Sequence, residues 1–213
     1  MIQAIIFDLG NVLIPFDWKR GYGALAELCP HPPEEARRRI KESGLFNTFE
    51  LGRIEPHELA RRVCSLIDLD VSFERFRELW SSIFLPETNL PDSMLASLHL
   101  NYRLLLLSNT DAIHFGWVTE KYPLLRHFDH CVLSFELGCK KPAPKIYQAA
   151  IAQAGCPAPQ VFFVDDIAEN VEGARQLGID ALQFQSREQL EAEMQSRGIR
   201  YTLPSTDFND RAE

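Results

Sequence analysis

Three short apolar runs in the chain each end at side chains that can bind a metal ion or donate hydrogen bonds. The runs, with the side chains that follow them, are Ala4–Phe7 with Asp8, Arg103–Leu107 with Ser108 and Asn109, and Val161–Val164 with Asp165 and Asp166. Continuous apolar runs of this length are typical of strands buried on both faces of a parallel sheet. Ligands bind outside the carboxyl ends of such strands, so we expect these side chains to share one crevice.

The three carboxylates of this set repel one another at short range unless a cation neutralises them. Mg²⁺ is a hard ion that prefers oxygen ligands, and it meets that need at Asp8, Asp165 and Asp166. Asp and Ser after strands also serve as turn formers and helix caps. Three such clusters at three strand ends of one chain favour a magnesium site over that purely structural role.

Helical patterns alternate with strand patterns from about residue 90 onward. The predicted elements are two weaker strands at Cys131–Leu133 and Ala181–Phe184, and helices at Pro91–Leu98, Ala143–Ala154, Ile167–Leu177 and from Ser186 to about Gly198. Strands that alternate with helices predict an α/β fold, here a Rossmann-like three-layer core with a parallel sheet.

The segment between the first and second strands follows a different pattern. It contains amphipathic helical patterns at Glu34–Glu42, Pro56–Ile67 and Phe73–Phe84, and no convincing strand. We therefore predict a small all-helical cap over residues 16–87, inserted into a core formed by residues 1–15 and 88–201. The polar residues 202–213 are predicted to form a flexible tail.

Composition excludes several classes of partner. The net charge of −8, without a block of Lys and Arg, argues against nucleic-acid binding. No apolar stretch approaches the roughly 20 residues that span a bilayer, and no targeting segment is visible. The five cysteines are odd in number and form no CxxC pair, which indicates free thiols and a cytoplasmic protein. We expect a monomer or a weak homodimer.

Four segments, in order along the chain, resemble the four motifs of the haloacid dehalogenase superfamily. They are Phe7-Asp8-Leu9-Gly10-Asn11-Val12-Leu13, Leu106-Leu107-Ser108-Asn109-Thr110, Lys141-Pro142-Ala143-Pro144-Lys145-Ile146-Tyr147 and Val164-Asp165-Asp166-Ile167-Ala168-Glu169-Asn170. The helical insertion after the first motif looks like a type-1 cap. The details of the motifs look closest to the bacterial α-D-glucose-1-phosphate phosphatase group.

This resemblance implies a Mg²⁺-dependent phosphatase for a small phosphorylated metabolite, with a sugar 1-phosphate as the finer expectation. The implied nucleophile is Asp8, which forms an aspartyl phosphate. The implied metal ligands are Asp8, the Gly10 carbonyl, Asp166 and, nearby, Asp165. Ser108 and the Asn109 backbone amide are expected to bind the phosphoryl oxygens, and Lys141 is expected to hold nucleophile and phosphate together.

Gly10 departs from the superfamily pattern, in which a second Asp stands two positions after the nucleophile and serves as acid and base. One explanation is an active phosphatase with an acidic leaving group or with an acid from the cap or solvent, for which His57 and Asp17 are candidates. Another is a haloacid dehalogenase, which also lacks this Asp but needs no Mg²⁺. The third is a catalytically weak protein that binds a phosphorylated ligand.

Overall fold

The centre of the molecule, as a computed structural model describes it for residues 1–202, is a five-stranded parallel sheet of order β3-β2-β1-β4-β5. The strands are β1 (Ala4–Phe7), β2 (Arg103–Ser108), β3 (His130–Leu133), β4 (Val161–Asp165) and β5 (Asp180–Gln183). Phe7 pairs with Leu106 on one side and with Val164 on the other. The residues that follow β1 therefore emerge beside the ends of β2 and β4.

Helices cover both faces of the sheet. Ile5, Phe7 and their neighbours on one face pack against α6 (Asp92–His99) and α11 (Arg187–Ser196), while Ala4 and Ile6 on the other face pack against α9 (Pro144–Ala154) and α10 (Ala168–Arg175). The helices of this part of the chain are α6 (Asp92–His99), α7 (Ala112–Lys121), α8 (Ser134–Leu137), α9 (Pro144–Ala154), α10 (Ala168–Arg175) and α11 (Arg187–Ser196). The predicted α/β fold with three layers is confirmed.

The sequence patterns located four of these six helices to within two residues at each end. Pro91 lies just before the first helical residue, and Ser186 caps α11 by accepting a hydrogen bond from the Gln189 N–H. The patterns did not predict α7 or the short α8. They also did not predict the two 3-10 turns at Pro123–His127 and Ala158–Gln160.

Five helices between β1 and β2 pack around a hydrophobic cluster that is separate from those on the sheet faces and to which α7 adds Ile113. These helices are α1 (Trp18–Ala26), α2 (Pro33–Glu42), α3 (Leu45–Glu50), α4 (Pro56–Leu66) and α5 (Phe73–Ser81). Phe49, Leu59, Val63 and Phe76 lie at the centre of this cluster. The predicted helix over Phe73–Phe84 ends at Ser81, because the residues after it leave the helix to pair with another segment.

The two segments that connect these helices to the sheet lie side by side. Phe16 and Phe84 form an antiparallel bridge, the Asp17 N–H donates to the Ile83 carbonyl at 2.9 Å, and the Leu85 N–H donates to the Pro15 carbonyl at 3.0 Å. We call this pair of segments the hinge ribbon. The division into a cap of residues 16–87 and a core stays a prediction, which the separate cluster and the hinge ribbon support.

Three further expectations concern the surface and the end of the chain. Within residues 1–202, no helix is both long and apolar enough to cross a membrane. All five cysteines are free. Of the predicted flexible tail, residues 203–213 lie outside the described residues, and the Thr202 N–H donates to the Ser97 hydroxyl at 2.7 Å.

Candidate active site

A buried lysine links two carboxylates at the carboxyl ends of the inner strands. The Lys141 ammonium lies 2.8 Å from Oδ1 of Asp8 and 2.6 Å from Oδ2 of Asp165, and it donates to the Leu107 carbonyl at 2.9 Å. Its side chain is 1% exposed. All three N–H groups of the ammonium thus have an acceptor, so its position between the carboxylates is fixed.

The charges of this group depend on one another. Burial raises the pKa of Asp8 to about 7. The positive charge of Lys141 lowers this pKa, and the negative charge of Asp165 raises it. Burial alone would lower the pKa of Lys141, but the attraction of Asp8 and Asp165 raises it above its ordinary value. Lys141 therefore remains charged, and Asp8 needs nearby positive charge to ionise.

Asp165 and Asp166 are adjacent in sequence but have different surroundings. Asp165 is fully buried and accepts hydrogen bonds from the Ile167 N–H at 2.8 Å and from the Asn170 amide at 3.0 and 3.1 Å, besides its contact with Lys141. Asp166 accepts a hydrogen bond from the Asn11 amide at 3.1 Å through Oδ2. Asp165 is thus an orienting group, whereas Asp166 is accessible to a ligand.

The donor set suits a divalent cation. One oxygen of each of Asp8, Asp165 and Asp166 lies within 4.8 Å of the others. When all three carboxylates are ionised, the Lys141 ammonium leaves two negative charges uncompensated. Asp8 and Asp166 each keep one oxygen that takes no hydrogen bond from residues 1–202, and the Gly10 carbonyl, which accepts one bond from the Val12 N–H at 2.7 Å, has a second lone pair. Oxygen ligands of this kind suit Mg²⁺.

Asn109 joins the end of β2 to the segment that carries the lysine. Its side chain donates to the Lys141 carbonyl at 3.0 Å and accepts from the Lys141 N–H at 2.8 Å. Ser108 is buried, and its hydroxyl makes no hydrogen bond with the residues that the structure describes. The side chain of Asn109 therefore positions Lys141, while the Ser108 hydroxyl remains available to a bound phosphoryl group.

A small cavity of about 60 Å³ lies between the sheet and the capping helices. Gly10, Ser108 and Asn109 line it from below, and the lining from the hinge ribbon and the capping helices consists of Phe16, Trp18, Phe46, Glu50, Ile83 and Phe84. A Cβ atom at Gly10 would lie only 2.6 Å from the ring carbon Cε1 of Phe16. The Phe16 ring thus occupies the space of a side chain at position 10.

The haloacid dehalogenase-like hydrolase family matches residues 2–178. The chain belongs to this family. A D-ribitol-5-phosphate phosphatase of Bacteroides thetaiotaomicron is 26% identical over 86% of this chain and 92% of its own length, and a phosphatase of Mycobacterium tuberculosis is 29% identical over 84% and 86%. A family enzyme of B. thetaiotaomicron, solved with magnesium and inorganic phosphate, superposes with a TM-score of 0.76 and 27% identity, covering 88% of this chain and 96% of that one.

Polar contacts join the helices between β1 and β2 of this hydrolase to the sheet next to the cavity. Lys140, the neighbour of Lys141, donates to Glu50 at 2.9 Å and to Asn47 at 2.6 Å, both of which belong to α3. The sequence favoured a solvated Lys140, but its side chain is 28% exposed. The next turn contacts the core as well, because a Cβ at Gly52 would lie 1.9 Å from the Phe135 carbonyl oxygen.

A buried histidine beside the cavity joins α7 to α5 of the inserted helices. Nδ1 of His114 lies 2.7 Å from Oδ2 of Asp111, and its Nε2 is 3.1 Å from the Trp80 carbonyl in the cap. Burial alone would lower the pKa of His114, but Asp111 and the Trp80 carbonyl raise it above its ordinary value. The protonated form of His114 is thus more favoured than in a free imidazole, and its Nε2 lies within hydrogen-bond distance of the Trp80 carbonyl.

The two sequence candidates for the missing acid lie elsewhere. The His57 ring stacks on Phe73 with 3.8 Å between ring centroids, and Asp17 caps α1 by accepting from the Lys19 N–H at 2.9 Å. Neither is among the residues that line the cavity.

Sequence reasoning gave no role to Asn11 and Asn170. Two features of the sequence could have pointed to them. Asn11 directly follows Gly10 and has a positive φ of 55°, which Asn tolerates better than most residues, and Asn170 stands about one helical turn after the acidic pair.

Proposed function

We propose that this hydrolase is a Mg²⁺-dependent phosphatase for a small phosphorylated metabolite, with Asp8 as the nucleophile. The observation that carries the proposal is the buried Lys141 ammonium, held by Asp8 and Asp165 at the strand ends where Asp166 and Ser108 also lie. The similarity to proteins named as phosphatases, and to an enzyme solved with magnesium and phosphate, supports the same reaction class.

In the first step, a carboxylate oxygen of Asp8 forms a bond to phosphorus while the bond from phosphorus to the ester oxygen breaks, and the leaving oxygen takes up a proton. In the second step, water attacks the aspartyl phosphate, loses a proton and releases inorganic phosphate and the Asp8 carboxylate. Lys141 balances charge beside the nucleophile, and the Ser108 hydroxyl and the Asn109 backbone N–H donate to phosphoryl oxygens.

Mg²⁺ would be held by Asp8, Asp166 and the Gly10 carbonyl, and when bound it screens the repulsion between the carboxylate and the anionic phosphate. Asp165 lies beside this set. Because both of its oxygens already accept hydrogen bonds or contact Lys141, we assign to it the task of orienting the lysine.

The finer proposal for the substrate is a sugar 1-phosphate. It rests on the resemblance of the motifs to the α-D-glucose-1-phosphate phosphatase group. Similarity to a D-ribitol-5-phosphate phosphatase supports the wider class of phosphorylated sugars and polyols. An anomeric leaving group also suits a site whose first motif has Gly10 in place of an acid.

A panel of phosphate esters tests the proposal. Glucose 1-phosphate, ribitol 5-phosphate and p-nitrophenyl phosphate are assayed for phosphate release with Mg²⁺ and after chelation, together with a 2-haloacid assayed for halide release. We expect phosphate release that requires Mg²⁺, and a phosphorylated protein after acid quenching that is absent in Asp8→Asn. Halide release without Mg²⁺ would identify a dehalogenase, and ligand binding without turnover would identify a phospholigand-binding protein.

A further inference from the structure

The structure explains why an acid cannot act from position 10 in this chain. Gly10 has no side chain, and the Phe16 ring fills the adjacent space, with its Cε1 atom 2.6 Å from where a Cβ would stand. Phe16 belongs to the hinge ribbon, so the cap side of the molecule supplies this wall. A side chain that protonates the leaving group must therefore stand in another part of the cavity wall.

Two titratable side chains line that wall within the described residues, Glu50 and His114. Both ring nitrogens of His114 already lie beside protein oxygens, Nδ1 at 2.7 Å from Asp111 Oδ2 and Nε2 at 3.1 Å from the Trp80 carbonyl, so neither is left for a ligand. Glu50 stands at the end of α3 with a side chain that is 12% exposed. It is the group that the geometry leaves for exchange of a proton with a ligand.

We propose that Glu50, supplied by the cap, is the acid and base of the phosphatase reaction in place of the residue missing at Gly10. This inference rests on the proposed function. The protonated Glu50 carboxyl gives its proton to the leaving oxygen as the bond to phosphorus breaks. The resulting carboxylate then removes a proton from the water that attacks the aspartyl phosphate, which restores the starting state with no net change of protons on Glu50.

The charged groups around Glu50 support this task. Lys140 contacts it at 2.9 Å from the core, and Asp111 and His114 act on it at longer range. Burial raises the pKa of Glu50 above its ordinary value, and the negative charge of Asp111 raises it further. The positive charges of Lys140 and His114 lower the pKa only in part. A carboxyl whose pKa is shifted toward the working pH exchanges protons most effectively.

Glu50 could instead act only through its contact with Lys140, by holding the cap closed. Lys140→Gln is the matched control, because it breaks the same contact and leaves the carboxyl in place. Loss of cap closure weakens binding of all esters equally. Loss of an acid instead affects esters in proportion to the basicity of their leaving group.

The experiment measures kcat and KM with Mg²⁺ for wild type, Glu50→Gln, Glu50→Asp and Lys140→Gln on a series of esters from p-nitrophenyl phosphate to alkyl phosphates. For Glu50→Gln we expect kcat on alkyl esters to fall by about 10²–10⁴-fold, because that is the range of general acid catalysis, and kcat on the aryl ester to fall by less than about 10-fold. Glu50→Asp should recover part of the alkyl activity. Lys140→Gln keeps the carboxyl and removes only the effect of Lys140 on its pKa, so its losses on alkyl and aryl esters should differ by far less than those of Glu50→Gln.

Several results would overturn the inference. An alkyl kcat in folded Glu50→Gln that equals wild type would do so, and so would parallel losses on all esters in Glu50→Gln and Lys140→Gln. If Glu50→Gln does not fold, Glu50→Ser, which also removes the carboxyl, takes its place, and an alkyl kcat equal to wild type in that variant is equally decisive against it. Wild-type hydrolysis of p-nitrophenyl phosphate is measured first: its absence on every ester refutes the proposed function, and the role of Glu50 with it.

Discussion

Adding one methyl group at Gly10 should destabilise the protein through a single neighbour, the Phe16 ring. The added Cβ would stand 2.6 Å from Cε1 and 3.2 Å from Cδ1 of that ring, whereas ordinary contact begins at 3.4 Å. Overpacking of this kind costs about 1–3 kcal/mol. Because the Phe16 ring is only half-buried and can shift, we expect Gly10→Ala to lie near the lower end, about 1 kcal/mol.

The destabilising effect of Gly10→Ala on the free energy of unfolding should disappear or reverse when the Phe16 ring is removed. The φ angle of Gly10 is not positive, so alanine is compatible with the backbone there. In a Phe16→Ala background, Gly10→Ala should therefore be neutral or stabilise by about 0.4–1 kcal/mol through the unfolded chain. Equilibrium urea unfolding of wild type, both single variants and the double variant gives the coupling directly.

This cycle has a clear refuting outcome. If Gly10→Ala changes the free energy of unfolding by the same amount with and without the Phe16 ring, the ring does not fill the site.

The Phe16 ring should also decide whether an acid introduced at position 10 restores activity. Gly10→Asp alone should meet the ring, whereas Gly10→Asp combined with Phe16→Ala should restore alkyl ester hydrolysis to Glu50→Gln, provided that fold and Mg²⁺ affinity are retained.

Three further predictions concern the carboxylates and the buried histidine. Asp8→Asn should abolish turnover, since an amide is neither a competent nucleophile nor a good Mg²⁺ ligand; more than a few per cent of residual activity would contradict a covalent role. Asp166→Ala should weaken Mg²⁺ binding in a calorimetric titration more than Asp165→Ala, because Asp165 is occupied by protein donors, and the reverse order would exchange their roles. The pKa of His114 is raised on folding, so its stabilising effect is complete below its ordinary pKa of 6.5 and is lost as pH rises through the folded value. The difference in urea midpoint between wild type and His114→Gln should thus be larger at about pH 6 than at about pH 9, and equal differences would show that the imidazolium pair is not the cause.

The parts of the fold that could be predicted from sequence are those set by local pattern. The apolar runs of β1, β2 and β4 gave both the strands and their burial, because a strand covered on both faces leaves no room for polar residues. The polar groups after these runs then met in one crevice, as the rule for parallel sheets requires. The Mg²⁺ ligands assigned to this crevice stay a prediction.

Elements that depend on tertiary contacts were not predictable in this way. The helices α3 and α8 have six and four residues and are held by packing at the boundary of cap and core. Helix α7 contains Gly116 and several aromatic and β-branched residues, so its sequence shows little helical periodicity.

Contacts in the site that join distant parts of the chain could not be predicted either, because they also depend on the tertiary structure. The Phe16 ring reaches Gly10 only because the hinge ribbon turns back over the sheet, and Lys140 reaches Glu50 across 90 residues of sequence. A single sequence carries no local signal for either contact.

The strand order has a consequence for how the molecule opens. Asp8, Ser108 and Asp165 stand at the ends of β1, β2 and β4, the three inner strands, whereas the edge strands β3 and β5 end in residues without an assigned role. Local unfolding begins where backbone groups have fewest partners, at edges and termini. Amide deuterium exchange should therefore proceed from β3 and β5 inward, with the slowest amides in β1. The crevice can stay assembled while the periphery of the sheet fluctuates.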